Sequence, residues 1–488
     1  MSLARRGAFS VLWNGAGGTI EVLSSLARGI LLARLIGVEL IGTYAFALAV
    51  MAISAVVLRL GMGEAFLHRT EETEDEDELA AVHFTLSLGP IILWLVAVLA
   101  VCFVWVESTT LRTALVVLAF TTAMVSLTET PLLILARRVQ HRRLAIIRLI
   151  SGPLSAFVSV LLALLGAGLS ALLAIDLVRM IVSVVVLYIW RPFWRPRLSL
   201  APHVVRYFMR FSVRSFSSGI LLQLLNEIDD VWTGVVLGKT QLGFYSRAFT
   251  FAGYPRTILA GPVELVSAGM YSELKWQRGR LSEVYFQTNA LLLRAGILPA
   301  GMLFLAAPAL IPLLIGERWL PMLPAFRLML LFSILEPIKL TAAGLFAAVG
   351  RPGITAVTRA AQLAALAIGL PVLGTRFGIA GVALAINVMA ATGIMGLFWQ
   401  SRRYVDISYT RLAVSPLLAM ALALGLAVGS SRLIGLTGQW ASLLAASLFA
   451  VGYVSMLLLL DYHQLRAMVA GVHRALLRAP APVQPDLA

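Results

Sequence analysis

The chain has 488 residues, of which 60% are hydrophobic and only 13% are charged. An ordinary soluble domain carries about 25% charged residues, whereas a bilayer core about 30 Å thick needs about 20 apolar residues for each helix that crosses it. The chain repeatedly supplies stretches of that length between short polar breaks. The composition therefore excludes a soluble protein and predicts an all-α integral membrane protein.

The charged residues and the cysteine exclude two further classes. Lys and Arg outnumber Asp and Glu by 39 to 24, which gives a formal net charge of +15 at pH 7. The basic residues are not gathered into one face or arm with interleaved aromatic residues, so we expect no nucleic-acid binding. The single cysteine, Cys102, lies in an apolar run, where it can form neither an internal disulfide nor a thiolate metal site.

The apolar stretches predict about fourteen transmembrane helices joined by mostly short loops. Arg5 and Arg6 precede the first apolar run, which continues past Gly37 without an obvious cleavage motif, so we predict an uncleaved first span. The predicted spans, in chain order, are 9–34, 41–63, 80–105, 112–136, 145–166, 169–190, 211–237, 243–271, 288–315, 323–349, 353–374, 378–400, 412–430 and 438–460.

The distribution of basic residues between the loops predicts the orientation in the membrane. Cytoplasmic loops collect Lys and Arg. If the N-terminus is cytoplasmic, most loop arginines fall on that side, including Arg137, Arg138, Arg142 and Arg143. The opposite side then keeps only Arg112, Lys239, Arg318, Arg376 and Arg432. We therefore predict an even number of spans with both termini cytoplasmic.

An internal repeat predicts two halves. Residues before and within the second span recur at the start of the eighth, as the pairs Gly37/Gly238, Gly42/Gly243, Tyr44/Tyr245 and Ala47/Ala248. A second, weaker match pairs Arg148 with Arg359 and Asp176 with Asn387. Such duplications are common in transporters. We predict a six-helix lobe at 1–200, a second six-helix lobe at 201–405, a central cavity between them, two additional transmembrane helices at 406–462 and a cytoplasmic tail at 463–488.

Arginines inside the predicted spans are the main functional candidates. An ionisable group at the bilayer centre costs about 2.5–3.5 kcal/mol, so it usually faces a wet cavity or a partner. The guanidinium group is permanently charged, and its planar fork suits phosphate oxygens. A cavity that they line would take an anionic cargo. The candidates are Arg28, Arg179, Arg214, Arg247, Arg256, Arg294 and Arg359.

Each of these residues also has a purely structural interpretation, because a buried arginine can lock two helices through a carboxylate or extend its charge to the headgroups. Arg247 and Arg256 lie nine residues apart, about 180° around a helix, so they cannot share one face. Arg256, in mid-span next to Pro255, is the better candidate for the cavity, and Arg28 is its counterpart in the first half. Three acidic residues either accept protons in a coupled cycle or pair with arginines: Glu21, Asp176 and Glu227.

The sequence contains no recognisable catalytic constellation. The six histidines are scattered, no pair has zinc-ligand spacing, and no phosphate-binding glycine loop with its lysine is present. We predict no catalytic residue, no metal site and no cofactor, and we leave open a coupling to a proton or sodium gradient.

Four segments resemble a known family: LLARLIGVELIGTYAFALAV (31–50), GMGEAFLHR (61–69), LLQLLNEIDDVWTGVVLGKTQLGFYSRAFTFAGYPRTIL (221–259) and LLIGERWLPMLPAFRLML (313–330). They resemble the polysaccharide-transporter branch of the MOP (multidrug/oligosaccharidyl-lipid/polysaccharide) superfamily. The resemblance implies a flippase in the inner (cytoplasmic) membrane that moves a polyprenyl-diphosphate-linked oligosaccharide outward by alternating access. The flippase would serve the biosynthesis of a surface polysaccharide, which is lipopolysaccharide, capsule or exopolysaccharide.

The resemblance also implies particular residues and partners. Cavity arginines in the first and eighth spans would fall on Arg28 and Arg256. Membrane lipids, a polysaccharide polymerase and glycosyltransferases would be partners. Glu227, Asp229 and Asp230 depart from the family pattern, in which asparagines and a single aspartate are more usual. Two other functions stay open: a cation-coupled drug exporter of the same superfamily, and a membrane polysaccharide polymerase or ligase, which usually needs a large external loop.

Overall fold

The protein is built almost entirely from α-helices. A computed structural model describes residues 3–59, 61–68, 75–138, 141–190, 192–433 and 438–477. Within these ranges there are seventeen α-helices and no β-strand, which confirms the all-α class. The helices are α1 (Leu3–Leu35), α2 (Val38–Ser54), α3 (Val56–Arg59), α4 (Met62–His68), α5 (Glu76–Trp105), α6 (Thr109–Leu127), α7 (Glu129–Arg137), α8 (His141–Leu164), α9 (Leu169–Val184), α10 (Pro202–Trp232), α11 (Lys239–Leu274), α12 (Arg278–Ile315), α13 (Leu323–Ala348), α14 (Pro352–Gly369), α15 (Thr375–Ser401), α16 (Tyr409–Leu433) and α17 (Gly438–Leu477).

Ten helical segments in the described part of the chain are long and apolar enough to cross a membrane. The helices α1, α10 and α11, predicted as the first, seventh and eighth spans, are not among them, because charged residues recur along their length. The predicted eleventh and twelfth spans form one segment, Pro352–Ser401, which is interrupted at Gly378. The φ angle of Gly378 is 58°, a value that favours glycine. The number fourteen therefore stays a prediction.

The internal contacts of the chain divide it into two compact units. Unit A comprises Trp13–Arg247 and Gln362–Ala385. Unit B comprises Met1–Leu12, Ala248–Ala361 and Ile386–Ala488. The lobes at 1–200 and 201–405, the additional helices at 406–462 and the tail at 463–488 stay predictions.

Aromatic side chains form one of the cores of unit A, where α4, α5 and α10 meet. The His83 ring on α5 lies between two phenylalanine rings, with centroids 5.6 Å from Phe66 and 5.7 Å from Phe208. Its Nδ1 is 2.9 Å from the hydroxyl of Thr130 on α7. The Tyr207 hydroxyl donates to the carbonyl oxygen of Ala65 at 2.9 Å. Hydroxyl and ring contacts therefore tie these four helices together, since backbone groups inside helices are already paired.

In unit B, α12 packs against the last two helices, α16 and α17. The rings of Phe449 and Tyr453 stack at 5.8 Å, and Phe449 fits against Gly301, where an added Cβ would lie 2.2 Å from the ring. The Tyr453 hydroxyl donates to the carbonyl oxygen of Arg294 at 3.1 Å. The helical geometry of α17 is interrupted at Asp461, whose φ and ψ are −137° and 21°.

The closest backbone approach in unit A uses two of the glycines that the repeat relates. A Cβ atom added at Gly42 on α2 would lie 1.7 Å from the carbonyl oxygen of Lys239, and one added at Gly243 on α11 would lie 2.3 Å from the carbonyl oxygen of Val38. Both distances are far below van der Waals contact, and the opposing atoms belong to the backbone, so no side chain can move aside. The starts of α2 and α11 can pack in this way only if both positions are glycine.

We expect Gly42→Ala and Gly243→Ala each to destabilise the protein, by roughly 1–3 kcal/mol or more, because they force the two helix starts apart. Thermal unfolding of the purified protein in detergent, followed by tryptophan fluorescence, measures the change. Gly89→Ala in α5 is the matched control, since nothing lies within 4 Å of its added Cβ. A melting temperature equal to that of the control would contradict the close approach.

Candidate functional site

A buried arginine on α1 lies at the centre of a polar network in unit A. The Arg28 side chain is 9% exposed. Its Nη1 donates to the Ser155 hydroxyl on α8 at 3.0 Å, and its Nη2 donates to the Ser25 hydroxyl at 3.3 Å. The helices α1 and α8 approach closely here, as shown by the 3.4 Å that would separate a Cβ added at Gly152 on α8 from the Cα of Glu21 on α1. The positive charge of Arg28 is thus held inside the protein among hydroxyl groups.

Two carboxylates and a second arginine complete this network. The Tyr44 hydroxyl on α2 donates to Oδ2 of Asp176 on α9 at 2.6 Å. One turn further along α9, Nη2 of Arg179 lies 3.7 Å from Oε1 of Glu21, and both side chains are about one third exposed. Asp176 experiences the charges of both Arg179 and Arg28. The structure thus brings together four predicted residues, whose two positive and two negative charges balance when all are ionised.

Three carboxylates gather near the end of α10, also in unit A. Asp229 is buried and accepts a hydrogen bond from the Tyr245 hydroxyl on α11. Glu227 accepts a hydrogen bond from the Gln223 amide at 3.4 Å. Repulsion acts between Glu227 and Asp229 and between Asp229 and Asp230. Three acidic residues therefore lie within one turn near the end of α10, and one of them, Asp229, is held by a tyrosine of α11.

A cavity of about 210 Å³ lies among α11, α12 and α13 in unit B. Arg256 and Ser333 contribute its polar side chains, and the rest of the lining is apolar, including Pro255 and Pro337. The guanidinium carbon of Arg256 lies 5.5 Å from the centroid of the Phe332 ring, a distance typical of a cation–π contact. The predicted cavity residue Arg256 therefore faces an internal space within unit B.

Further charges surround Arg256 on the same helices. Glu264, two turns further along α11, interacts electrostatically with Arg256 and with Glu336. Glu336 forms an ion pair with Lys339 at 2.7 Å, and both side chains are nearly buried. Around Arg256 in unit B, as around Arg28 in unit A, positively charged groups and carboxylates therefore occur in about equal number.

Arg294 has a different environment, which favours the structural interpretation. Its side chain is 3% exposed and forms a two-donor contact with Oδ2 of Asp461 on α17. The same guanidinium group also donates to the Ser415 hydroxyl on α16 at 3.3 Å and to the Gln464 side chain at 3.1 Å. The hydrogen bonds of Arg294 thus connect α12 to α16 and α17, and they leave its guanidinium group little capacity to bind a ligand.

The remaining candidates are less informative. Arg247 in unit A and Arg359 in unit B are both partly buried and make contacts with other residues. The side chain of Arg214 lies outside the described residues.

Sequence reasoning missed the two tyrosines that hold the aspartates. Tyr44 and Tyr245 occupy equivalent positions in the repeat, and each donates a hydrogen bond to a buried or partly buried aspartate of unit A, Asp176 and Asp229 respectively. The repeat was visible in the sequence, so the signal was present. It identified the positions but not the partner aspartates, which lie 132 and 16 residues away along the chain.

These features define an all-helical membrane protein with ionisable residues in its interior. A solved structure of the lipid II flippase MurJ, in an inward closed conformation, matches 96% of this chain and 100% of its own at 13% identity, with a TM-score of 0.72. An inward-facing multidrug resistance MATE transporter of the MOP superfamily matches 79% of this chain and 94% of its own at 16% identity, with a TM-score of 0.63. At these identities the similarity shows the fold alone.

Residues 31–324 match the family described as "Polysaccharide biosynthesis protein", and the chain belongs to that family. The succinoglycan biosynthesis transport protein ExoT of Rhizobium meliloti (strain 1021) is 31% identical over 209 residues. That match covers 42% of this chain and 41% of the relative, so it spans well under half of each protein. The predicted resemblance to the polysaccharide-transporter branch is confirmed.

We expect Arg294→Met and Asp461→Leu each to lower stability by about 3–5 kcal/mol, because each leaves one buried group without its charged partner. The double variant Arg294→Met/Asp461→Leu removes both charges and is expected to recover most of the loss. Unfolding of the three variants in detergent gives the coupling between the two positions. Arg278→Ala is the control, since its ion pair with Asp406 is exposed and should contribute little. Additive losses in the double variant would contradict a direct pair.

Proposed function

We propose that this protein is a flippase that moves a polyprenyl-diphosphate-linked oligosaccharide across the cytoplasmic membrane during the synthesis of a surface polysaccharide. The family is one of polysaccharide biosynthesis, the fold is shared with a lipid II flippase, and a partly matching relative is described as a biosynthesis transport protein. Each of these supports the proposal at the level of class, and the arginine environments support the chemistry of the cargo.

The observation that carries the proposal is the placement of Arg256 in a cavity. A guanidinium group there can donate two parallel hydrogen bonds to the oxygens of a phosphate, and the apolar lining strengthens the attraction by excluding water. The cavity, at about 210 Å³, is smaller than the 300–1,000 Å³ of typical pockets for drug-sized ligands. It suits a diphosphate better than an oligosaccharide, so we assign it to the anionic linkage and not to the sugars.

Arg28 is the second residue that we assign to the cargo. Two of its hydrogen bonds go to the hydroxyl groups of Ser25 and Ser155, which orient the guanidinium group, and its charge acts on Asp176. A charge inside the protein carries a cost in hydration, and an anion that binds Arg28 in part of the transport cycle would offset that cost. Arg179 differs, because Glu21 lies near it.

The wider setting belongs to the same proposal. The protein acts in the inner membrane with both termini in the cytoplasm, transports by alternating access and uses no catalytic residue. Glycosyltransferases that build the cargo and a polymerase that consumes it are its working partners. The excess of predicted cytoplasmic arginines supports the orientation.

Energy coupling is assigned to the carboxylates of unit A. Glu227, Asp229 and Asp230 repel one another in a poorly hydrated place, and such groups take up a proton or a cation readily. Asp176 is a second candidate, since Tyr44 and two arginines adjust its charge state. We propose that one of these sites couples transport to a proton or sodium gradient.

The acidic cluster of α10 also favours a second candidate function, a cation-coupled drug exporter. Organic cations prefer a cavity lined by carboxylates, and one solved structure of similar fold is a multidrug resistance transporter. The two functions separate in one experiment, because cationic dyes and lipid-linked diphosphates carry opposite charge. A membrane polymerase or ligase is the third possibility, and a polymerisation assay with the same lipid-linked substrate tests it.

We expect Arg28→Ala and Arg256→Ala each to reduce transport roughly ten-fold or more, the effect of losing hydrogen bonds to a charged group. The assay follows a fluorescent polyprenyl-diphosphate oligosaccharide across proteoliposomes that contain the purified protein. Surface polysaccharide in cells is the second readout. Arg28→Lys and Arg256→Lys should retain part of the rate, since the charge remains and the planar fork is lost.

Arg376→Ala is the matched control for these variants, because Arg376 is an exposed arginine of unit A. Normal transport by Arg28→Ala and Arg256→Ala, at normal protein levels, would refute the anionic-cargo assignment. Transport of cationic dyes in place of the lipid-linked diphosphate would favour the exporter.

We expect Glu227→Gln and Asp229→Asn to weaken the stimulation of transport by an imposed proton or sodium gradient, because an amide takes up neither ion as a carboxylate does. Transport down the concentration gradient of the cargo should persist in both variants. The measured quantity is the ratio of the transport rates with and without the imposed gradient. Glu283→Gln, an exposed carboxylate of α12 in unit B, is the control, and equal stimulation in all variants would exclude these residues from coupling.

A further inference from the structure

A groove of about 560 Å³ opens beside the segment that follows α9 in unit A. After a π-helical turn at Val185–Ile189, the chain continues through residues 192–201 without forming a helix or strand until α10 begins. The groove is lined by Phe84, Leu127, Tyr188, Pro192, Trp194, Arg195 and Pro196. It is independent of the networks around Arg28, Asp229 and Arg256, with which it shares no residue.

The groove lies where apolar helical segments end. Tyr188 is next to the end of the apolar segment Leu169–Ile189, and Phe84 lies in the first third of the segment Glu76–Trp105. Tyrosine and tryptophan are enriched at the boundary between membrane and water, because one part of the side chain is apolar and another is polar. A groove lined by Tyr188 and Trp194 beside a segment end therefore has the composition and the position typical of a site at this boundary.

The charge of the groove is positive. Arg195 lines it, and Arg197 follows two residues later; both are exposed. Among the described residues, neither guanidinium group has a recorded hydrogen bond or ion pair. Nearby, Arg138 behaves differently, since it forms a hydrogen-bonded ion pair with Glu76 at 2.8 Å. Arg195 and Arg197 thus retain their full capacity to bind an anion.

Trp194 supplies a donor at the same place. Its side chain is 5% exposed and lines the groove, and its ring packs edge-on against Phe84 at 5.7 Å. The indole Nε1 is shielded from water and has no hydrogen-bond partner among the described residues. A buried donor without a partner is costly, so a rotation of the ring that turns this N–H towards an acceptor in the groove would be favoured.

The residues that flank the groove are apolar and exposed. Leu198 is 73% exposed and Leu200 is 64% exposed, in the same extended segment as the two arginines. Exposed leucines beside basic residues are typical of segments that insert among the acyl chains directly below the headgroups. The surroundings therefore fit a ligand that is anionic at one end and apolar at the other.

We propose that this groove binds an anionic membrane phospholipid, with its phosphate on Arg195 and the Trp194 indole and one acyl chain along Tyr188 and Leu127. The volume falls in the usual range of 300–1,000 Å³ for small-molecule sites, enough for a glycerophosphate headgroup and the start of a chain. Charge complementarity selects the anionic headgroup, and the position at a segment end selects a lipid of the bilayer over a soluble anion.

Native mass spectrometry of the purified full chain, titrated with phosphatidylglycerol, tests the proposal. Arg195→Gln is expected to weaken binding about ten-fold, and Trp194→Phe, which keeps the ring and removes the N–H, about two- to five-fold. Arg376→Gln removes an equally exposed arginine of unit A and should leave binding unchanged. Phosphatidylcholine with the same acyl chains, whose choline offsets the phosphate charge, should bind more weakly to the unaltered protein and lose less affinity in Arg195→Gln than phosphatidylglycerol does.

Three outcomes would overturn the proposal. Equal affinity for phosphatidylglycerol in Arg195→Gln and Arg376→Gln would remove the groove as the site. Equal competition by glycerol 3-phosphate would show a site for a soluble anion. Displacement by polyprenyl diphosphate at lower concentration than by phosphatidylglycerol would make the groove part of the cargo path. Arg195 is exposed and outside every helix, so its substitution tests binding without compromising the fold.

Discussion

A guanidinium group that is withdrawn from water must be satisfied by the protein or by something that the protein binds, and this constraint organises the interior of the molecule. Removing an ion from water costs several kcal/mol even after the surroundings relax. The buried arginines meet this cost in different ways. Arg294 has a carboxylate, Arg28 has serine hydroxyls, and Arg256 has an aromatic ring and a cavity. The differences between these partners separate residues that fasten helices together from residues that can receive an anion.

Charge balance within each unit modifies the simple idea of a cationic interior. Positive and negative groups occur in about equal number around Arg28 and around Arg256, so neither environment is strongly cationic as a whole. A transporter must bind its anion in one state and release it in another. Nearby carboxylates compete with the anion for the arginines, so the anion is not held too tightly to be released.

Much of the fold and part of the candidate site were predictable from the sequence. Long apolar stretches predicted the helical class, and the recurring glycines and tyrosines pointed to positions that the structure uses for close packing and for holding aspartates. Arg256 was distinguished from Arg247 by its place in mid-span; it lines a cavity within unit B, while its place in a central cavity between two lobes stays a prediction. These successes rest on local patterns, which periodicity and spacing record directly.

Other features depend on contacts between distant parts of the chain. Arg294 and Asp461 are separated by 167 residues, and no local pattern announces their pairing, so Arg294 looked like any other buried arginine. The helices α10 and α11 carry charged residues on several faces, so neither a continuous apolar run nor an apolar stripe marks them clearly. The interruption of α15 at Gly378 depends on backbone geometry that many glycines in this chain do not adopt.

The interruption of α17 falls at the end of the apolar segment Gly438–Tyr462. Uninterrupted, its 40 residues would extend about 60 Å, roughly twice the thickness of a bilayer core. The break falls at Asp461, after a stretch long enough to cross such a core once, and the residue at the break is also the one that binds Arg294. One residue therefore marks the end of the apolar segment and also fastens that end to α12. A substitution at Asp461 would change both properties together.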